Sequence, residues 1–221
     1  MIKQDKHDIL LSMIPHSARK ILDVGCSDGG WVKKLELKDL EVVGIEKKER
    51  LYNEACKNLQ QAFLADVEKF TPPYPEGYFD CIIYADVLEH LIDPYTVLKN
   101  HKKYLNDEGC VIVSIPNVRY YKVILTLALA GVWDYTDSGL LDKTHLRFFT
   151  LTNIEELFVN EGFKITELRR NIIAASGFKL LNFLCFDQLR ELLVYQYYVK
   201  AVKQKGKERL QYSRNRKIFK L

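Results

Sequence analysis

Five short apolar runs set the terms on which this chain can fold. "KILDVG" (20–25), "EVVGIE" (41–46), "AFLAD" (62–66), "YFDCIIYAD" (78–86) and "GCVIVSIPN" (109–117) each fit a strand. The fourth is almost wholly apolar between Asp80 and Asp86, as a strand buried on both faces is. Segments of helical spacing separate the runs. They are "HDILLSMI" (7–14), stopped by Pro15, then "WVKKLEL", "ERLYNEACKNLQ" and "DPYTVLKNHKKYL". The last opens on Asp93 as an N-cap with Pro94 in the first turn. Strands alternating with helices in this way predict an α/β fold: a doubly wound, mostly parallel sheet with helices on both faces, three layers in all.

After residue 117 the rhythm changes. An apolar helical segment (118–132) leads into the polar "DYTDSGLLDKTH", then into a helix, "TNIEELFVNEG", opened by Thr150 or Thr152. "FKITELRR" (163–170) reads as a sixth strand. "ELLVYQYYVKAVK" (191–203), weighted to Val and Tyr, reads as a seventh. One domain over 1–203 is expected, with helical insertions at about 118–133 and 172–190 and a basic tail at 204–221. Length, 48% apolar and 28% charged residues suit a single globular domain. The longest apolar run, Val123–Trp133, is too short to span a membrane, and no cationic leader announces secretion. Five scattered cysteines, never in CxxC spacing, point to a reducing, cytoplasmic setting with neither a disulfide frame nor a zinc site. The net charge of +4 is uneven: residues 203–221 carry +7, leaving the rest at −3.

An open sheet of this kind takes its ligand at the carboxyl ends of the strands. The polar candidates fall there. Gly25, Gly29 and Gly30 follow the first strand, Glu46 ends the second, Asp66 the third, and Asp86 follows the fourth. An acid at the end of the second strand is placed for ribose hydroxyls, which suits a dinucleotide and an adenosyl cofactor alike. Two details separate these. Ser27 stands where a dinucleotide fingerprint has its middle glycine, and Asp23 lies two residues before Gly25. A carboxylate there favours the sulfonium and ammonium groups of S-adenosylmethionine (SAM) over a pyrophosphate.

"ILDVGCSDGG", "VVGIE", "FLADVEKF" and "FDCIIYADVLEHLIDPYTVLKNHKKYLNDEGCVIVSIPN", taken in order, resemble the class I SAM-dependent methyltransferases over residues 18–118. The resemblance implies a seven-stranded sheet with an antiparallel last strand. It implies that Asp23, Gly25, Cys26, Ser27 and Gly29 surround the methionine part, with Glu46 on the ribose and Asp66 and Val67 on the adenine. Asp86 would lie near the methyl donor. SAM is the expected cofactor, S-adenosylhomocysteine (SAH) the product, and no metal is expected.

A hydroxyl acceptor needs a base. His7, His16 and His101 fall on helical or loop surfaces, whereas His90 ("DVLEHL") lies on the cofactor side. His145 ("LLDKTHLRFFT") lies in a polar stretch, 133–150, that also brings Tyr135, Asp142 and Arg147 as substrate contacts. This stretch resembles methyltransferases found with polysaccharide-building enzymes. That implies a sugar or glycan hydroxyl as acceptor, with His145 as base and His90 in reserve. A quinone or other small apolar acceptor, with His90 as base, and a non-catalytic SAM-binding protein remain open. The apolar segments 118–133 and 176–192 suit a lid, a second subunit or a membrane surface joined by the basic tail. Nucleic acid is not expected: the core is acidic, and "ADVLEH" replaces the "NPPY"-type turn of enzymes that methylate flipped bases.

Overall fold

Seven strands form one sheet in the order β3-β2-β1-β4-β5-β7-β6. The computed structural model describes residues 6–35, 39–173, 175–185 and 187–204. The strands are β1 (Lys20–Val24), β2 (Glu41–Glu46), β3 (Gln61–Leu64), β4 (Phe79–Ala85), β5 (Leu105–Pro116), β6 (Phe163–Ile172) and β7 (Val194–Lys203). Neighbours among β1 to β5 run parallel. β7 lies antiparallel to both β5 and β6. The Val- and Tyr-rich segment is therefore a strand, with only Arg190–Leu193 ahead of it helical.

Side-chain alternation along each strand builds two cores. Leu22, Val24, Ile82, Tyr84, Val111 and Val113 point to one face. There they meet Val97 and Leu98 of α3 (Pro94–Lys102) and Ile154, Leu157 and Phe158 of α5 (Leu151–Asn160). Ile21, Val42, Cys81, Ile83 and Ile112 point to the other face. That face is covered by Leu10 of α1 (Lys6–Leu11), by Ala55 of α2 (Glu49–Asn58) and by Leu59 just beyond it. The caps follow the sequence: Asp93 accepts from Thr96 N at 3.1 Å, and Thr150 forms a capping box with Asn153.

Three expectations are corrected. "WVKKLEL" yields a 3-10 turn, Gly30–Lys34, where an amphipathic helix was expected. Its N-cap, Gly29, offers no side chain to the first turn, and residues 36–38 lie outside the described residues. His101 is buried rather than on a surface, its Nδ1 sharing a 2.8 Å hydrogen bond with the Tyr84 hydroxyl. Segment 118–133 is irregular: α4 (Tyr121–Leu125) runs into a π-turn, Thr126–Ala130. The second insertion holds α6 (Ser176–Leu184) and leads to α7 (Arg190–Leu193). Of the basic tail, only Gln204 falls among the described residues. No helix among them is long and apolar enough to cross a membrane.

Candidate active site

The strand order reverses between β1 and β4, and at their carboxyl ends a cleft of about 470 Å³ opens. Its walls come from four loops. The β1 loop gives Gly25 and Ser27, the end of β2 Glu46, the end of β3 Asp66 and Val67, and the end of β4 Asp86. The far end is closed by His90 and Thr144.

The glycine turn is built for closeness of approach, not for anion capture. Gly25 has φ +71°, and a Cβ there would sit 2.6 Å from Val87 Cγ2. Five of the turn's six amides already donate within the protein. Gly25 N and Cys26 N donate to the Ile45 carbonyl (2.8 and 3.1 Å), and Ser27 N to Glu46 Oε2 (3.0 Å). Gly29 N donates to the Cys26 carbonyl (2.9 Å) and Gly30 N to Asp28 Oδ1 (3.0 Å). The pyrophosphate cradle of a dinucleotide site is thus missing from this turn. The wall instead presents the carboxylates of Glu46, Asp66 and Asp86. Such a wall fits hydroxyl, amino and cationic groups.

Glu46 is 6% exposed and ties two loops together, its Oε1 accepting from Lys48 N at 2.8 Å while Oε2 takes Ser27 N. Asp66 is exposed and accepts from Glu68 N at 3.1 Å, which shapes the β3 turn. Asp86 adopts φ +57°, and its Oδ1 accepts from Ser114 Oγ (2.5 Å) and Gln196 Nε2 (2.5 Å). The antiparallel strand β7 therefore supports the cleft wall through Gln196, which holds Asp86 and is a residue that no local motif marks.

Three expected cofactor residues do not reach the cleft. Asp23, 1% exposed, points to the α1/α2 face and accepts from the Trp31 indole N–H at 2.6 Å. Burial, set against that hydrogen bond and helped by the charge of Glu46, pushes its carboxyl up to about 7. Cys26 packs against Gly44, and Gly29 against Leu59. All three shape the turn from behind.

At the acceptor end the structure brings His90 and His145 together, their ring centroids 4.7 Å apart. His90 Nδ1 donates to the Thr144 carbonyl at 3.1 Å and lies 3.1 Å from Thr144 Oγ1. His145 Nδ1 donates to the Leu140 carbonyl at 3.1 Å. Burial holds the His145 imidazole below its ordinary range. Asp142 Oδ1 accepts from Thr144 N (2.8 Å) and Thr144 Oγ1 (2.6 Å), so it acts through Thr144 on His90. Arg147 turns away, donating Nε and Nη2 to the Ile92 carbonyl beside a separate surface groove, and Tyr135 is 60% exposed. Glu89, 1% exposed, stands beside both histidines and was not among the sequence-derived candidates.

Comparison with known proteins agrees with this geometry. A family model described as "Methyltransferase domain" matches residues 4–168. The chain superposes on a SAM-dependent methyltransferase from Archaeoglobus fulgidus with a TM-score of 0.64 and 15% identity, covering 91% of this chain and 96% of that one. A putative SAM-dependent methyltransferase from Listeria monocytogenes gives 0.61 and 17%, with 90% and 96% covered. Among curated relatives, the ubiquinone biosynthesis O-methyltransferase of Chromobacterium violaceum is 30% identical over 135 residues, 58% of this chain and 56% of the relative. That of Acinetobacter baylyi is 27% identical over 107 residues, 46% and 45%. The chain spans about half the length of the curated relatives it matches. These are quinone-biosynthesis names. The polysaccharide branch suggested by residues 133–150 has no support among them.

Proposed function

The chain belongs to the methyltransferase-domain family, and from that footing we propose that it is a SAM-dependent O-methyltransferase whose acceptor is a hydroxyl on a small, largely apolar ring, of the quinol or phenol kind. The observation that carries the cofactor is the cleft wall: a tight glycine turn with five of its six amides spent, faced by the carboxylates of Glu46, Asp66 and Asp86. In this reading Glu46 takes the ribose, Asp66 and Val67 the adenine, and Gly25 and Ser27 the methionine part. When bound, SAM supplies an activated methyl: the C–S bond breaks with its electron pair kept by sulfur, leaving SAH as the acceptor oxygen forms its bond to carbon.

The protein must align the acceptor, exclude water and accommodate one proton. Because a carbonyl only accepts, the Thr144 contact fixes the proton of His90 on Nδ1 and leaves the lone pair on Nε2. That is the form which takes a hydroxyl proton. An apolar cluster of Tyr120, Tyr121, Val123, Leu140 and Leu193 with Phe178 packs past the carboxyl end of β5, and His145 is tied to it through the Leu140 carbonyl. Both this cluster and the names of the curated relatives favour an apolar ring over a sugar.

Calorimetric titration with SAH, with NADH as control, tests the cofactor. Micromolar SAH binding and no NADH binding are expected, and the reverse would end the proposal. Mass spectrometry of a catechol-ring acceptor set against a sugar nucleotide, each incubated with SAM and the protein, tests the acceptor. A methylated sugar alone would restore the polysaccharide reading.

A further inference from the structure

We propose that Glu89, His90 and His145 form a binding site for one divalent transition-metal cation at the acceptor end of the cleft. One ligand atom from each residue lies within 4.8 Å of the other two. Some point then lies within about 2.8 Å of all three, so closure by roughly 0.7 Å reaches ordinary metal–ligand lengths.

The trio is assembled by backbone, not by chance rotamers. Glu89 and His90 sit on the 3-10 turn Leu88–His90 that follows β4, whereas His145 belongs to the loop after β5. The Glu89 carbonyl accepts from Leu146 N (2.8 Å) and Arg147 N (2.9 Å), which stitches the loop to the turn beside the imidazoles. Both histidines donate Nδ1–H to backbone carbonyls, His90 to Thr144 and His145 to Leu140. In the neutral rings each Nε2 therefore carries the lone pair. A second ring nitrogen held by a carbonyl is how metal-ligating histidines are oriented and their tautomer fixed. Asp142 adds an outer layer by fixing Thr144.

Two imidazoles and one carboxylate suit zinc, cobalt or ferrous iron, and suit magnesium or calcium poorly, since those ions want oxygen ligands. Three protein ligands also leave coordination positions for water or substrate. His90 lines the cleft, so a cation here would be within reach of an acceptor hydroxyl. This use of the site rests on the methyl-transfer reading of the cleft. A coordinated hydroxyl loses its proton to solvent far more readily, and the cation holds the oxygen as it attacks. The imidazoles would then act as ligands in place of acting as a base.

The test uses the full chain with any affinity tag removed, stripped with a chelator and dialysed. Cobalt(II) chloride is titrated and read by visible absorption, zinc chloride by calorimetry, and SAH is titrated in parallel. One cobalt per chain with micromolar affinity is expected. Glu89→Gln and His145→Asn should each weaken it by about 100-fold while leaving SAH affinity and metal-free unfolding nearly unchanged. His90→Asn serves where either variant fails to fold. Absence of cobalt binding, or binding that survives these substitutions (as adventitious binding at exposed His16 would), overturns the proposal. SAH binding retained in that case leaves the cofactor site standing. Cobalt binding without SAH binding would instead sink the methyltransferase reading and keep the metal site.

Discussion

Asp23→Asn should change how stability depends on pH far more than it changes cofactor binding. In the fold the Asp23 carboxyl titrates near 7, against 3.8 for the ordinary group, because burial disfavours the anion more than the Trp31 hydrogen bond supports it. Between those values the folded chain holds a proton that the unfolded chain has released, so stability falls as pH rises, by about 1.4 kcal/mol per unit. Above 7 the loss is complete, at about 4 kcal/mol. His101 acts in the opposite sense. Its burial lowers it to about 4, so between there and 6.5 stability rises with pH. The raw profile therefore mixes two slopes, and the variant separates them, since Asn accepts from Trp31 without ionising while His101 is untouched. Guanidinium unfolding of both proteins at pH 5, 6, 7 and 8 provides the measurement. With Asn packing as the neutral carboxyl does, the variant should already lead by about 2 kcal/mol at pH 5 and by about 4 kcal/mol at pH 8. Parallel profiles would refute the claim that Asp23 is buried with a raised pKa. SAH affinity at pH 8 should stay within a few-fold. A loss beyond tenfold would return Asp23 to the cleft as a direct partner of the cofactor's ammonium group.

Two further substitutions probe the cleft wall. Glu46→Ala removes a cleft carboxylate together with the acceptor for Ser27 N and Lys48 N, so calorimetry should show SAH binding weakened by about 10- to 100-fold, the worth of one or two charged hydrogen bonds. Gly25→Ala places a methyl in the left-handed region and against Val87, so thermal unfolding should show a loss of at least about 1–2 kcal/mol. An unchanged melting temperature there would mean the turn has room to give.

Much of the fold was legible because buried parallel strands leave unbroken apolar runs, as at Cys81–Tyr84 and Val111–Val113, and because caps such as Asp93 and Thr150 mark where helices begin. The acidic wall of the cleft was legible for the same reason: Glu46, Asp66 and Asp86 are the last polar residues at the ends of such runs. What alternation along β1 would have added is that Asp23 shares a face with Ile21 and so points beneath the turn. Pairings across the fold were not legible. Gln196 meets Asp86 only because β7 inserts beside β5, and Glu89 meets His145 only because the loop after β5 folds back on the turn after β4. Spacing within one segment carries no trace of either contact.

The same geometry separates two features that looked like parts of one surface. β7 runs from Val194, beside β5 near Pro116, to Lys203, opposite Phe163. The chain therefore leaves the sheet toward its basic tail at the end where the parallel strands begin. The exposed apolar residues of the π-turn and α6, Leu127, Leu129, Phe183 and Leu184, follow β5 and precede β7, at the end where those strands finish. Charge and apolar area thus start from opposite ends of a sheet whose central strand β4, seven residues long, is itself about 20 Å. A lipid surface met by α4 and α6 gains nothing from the cations at the point where the tail departs. The apolar segments do follow the carboxyl ends of β5 and β6, on the side of the sheet where the cleft opens. Shielding the acceptor is consequently the role that their position supports, and it requires no help from the tail.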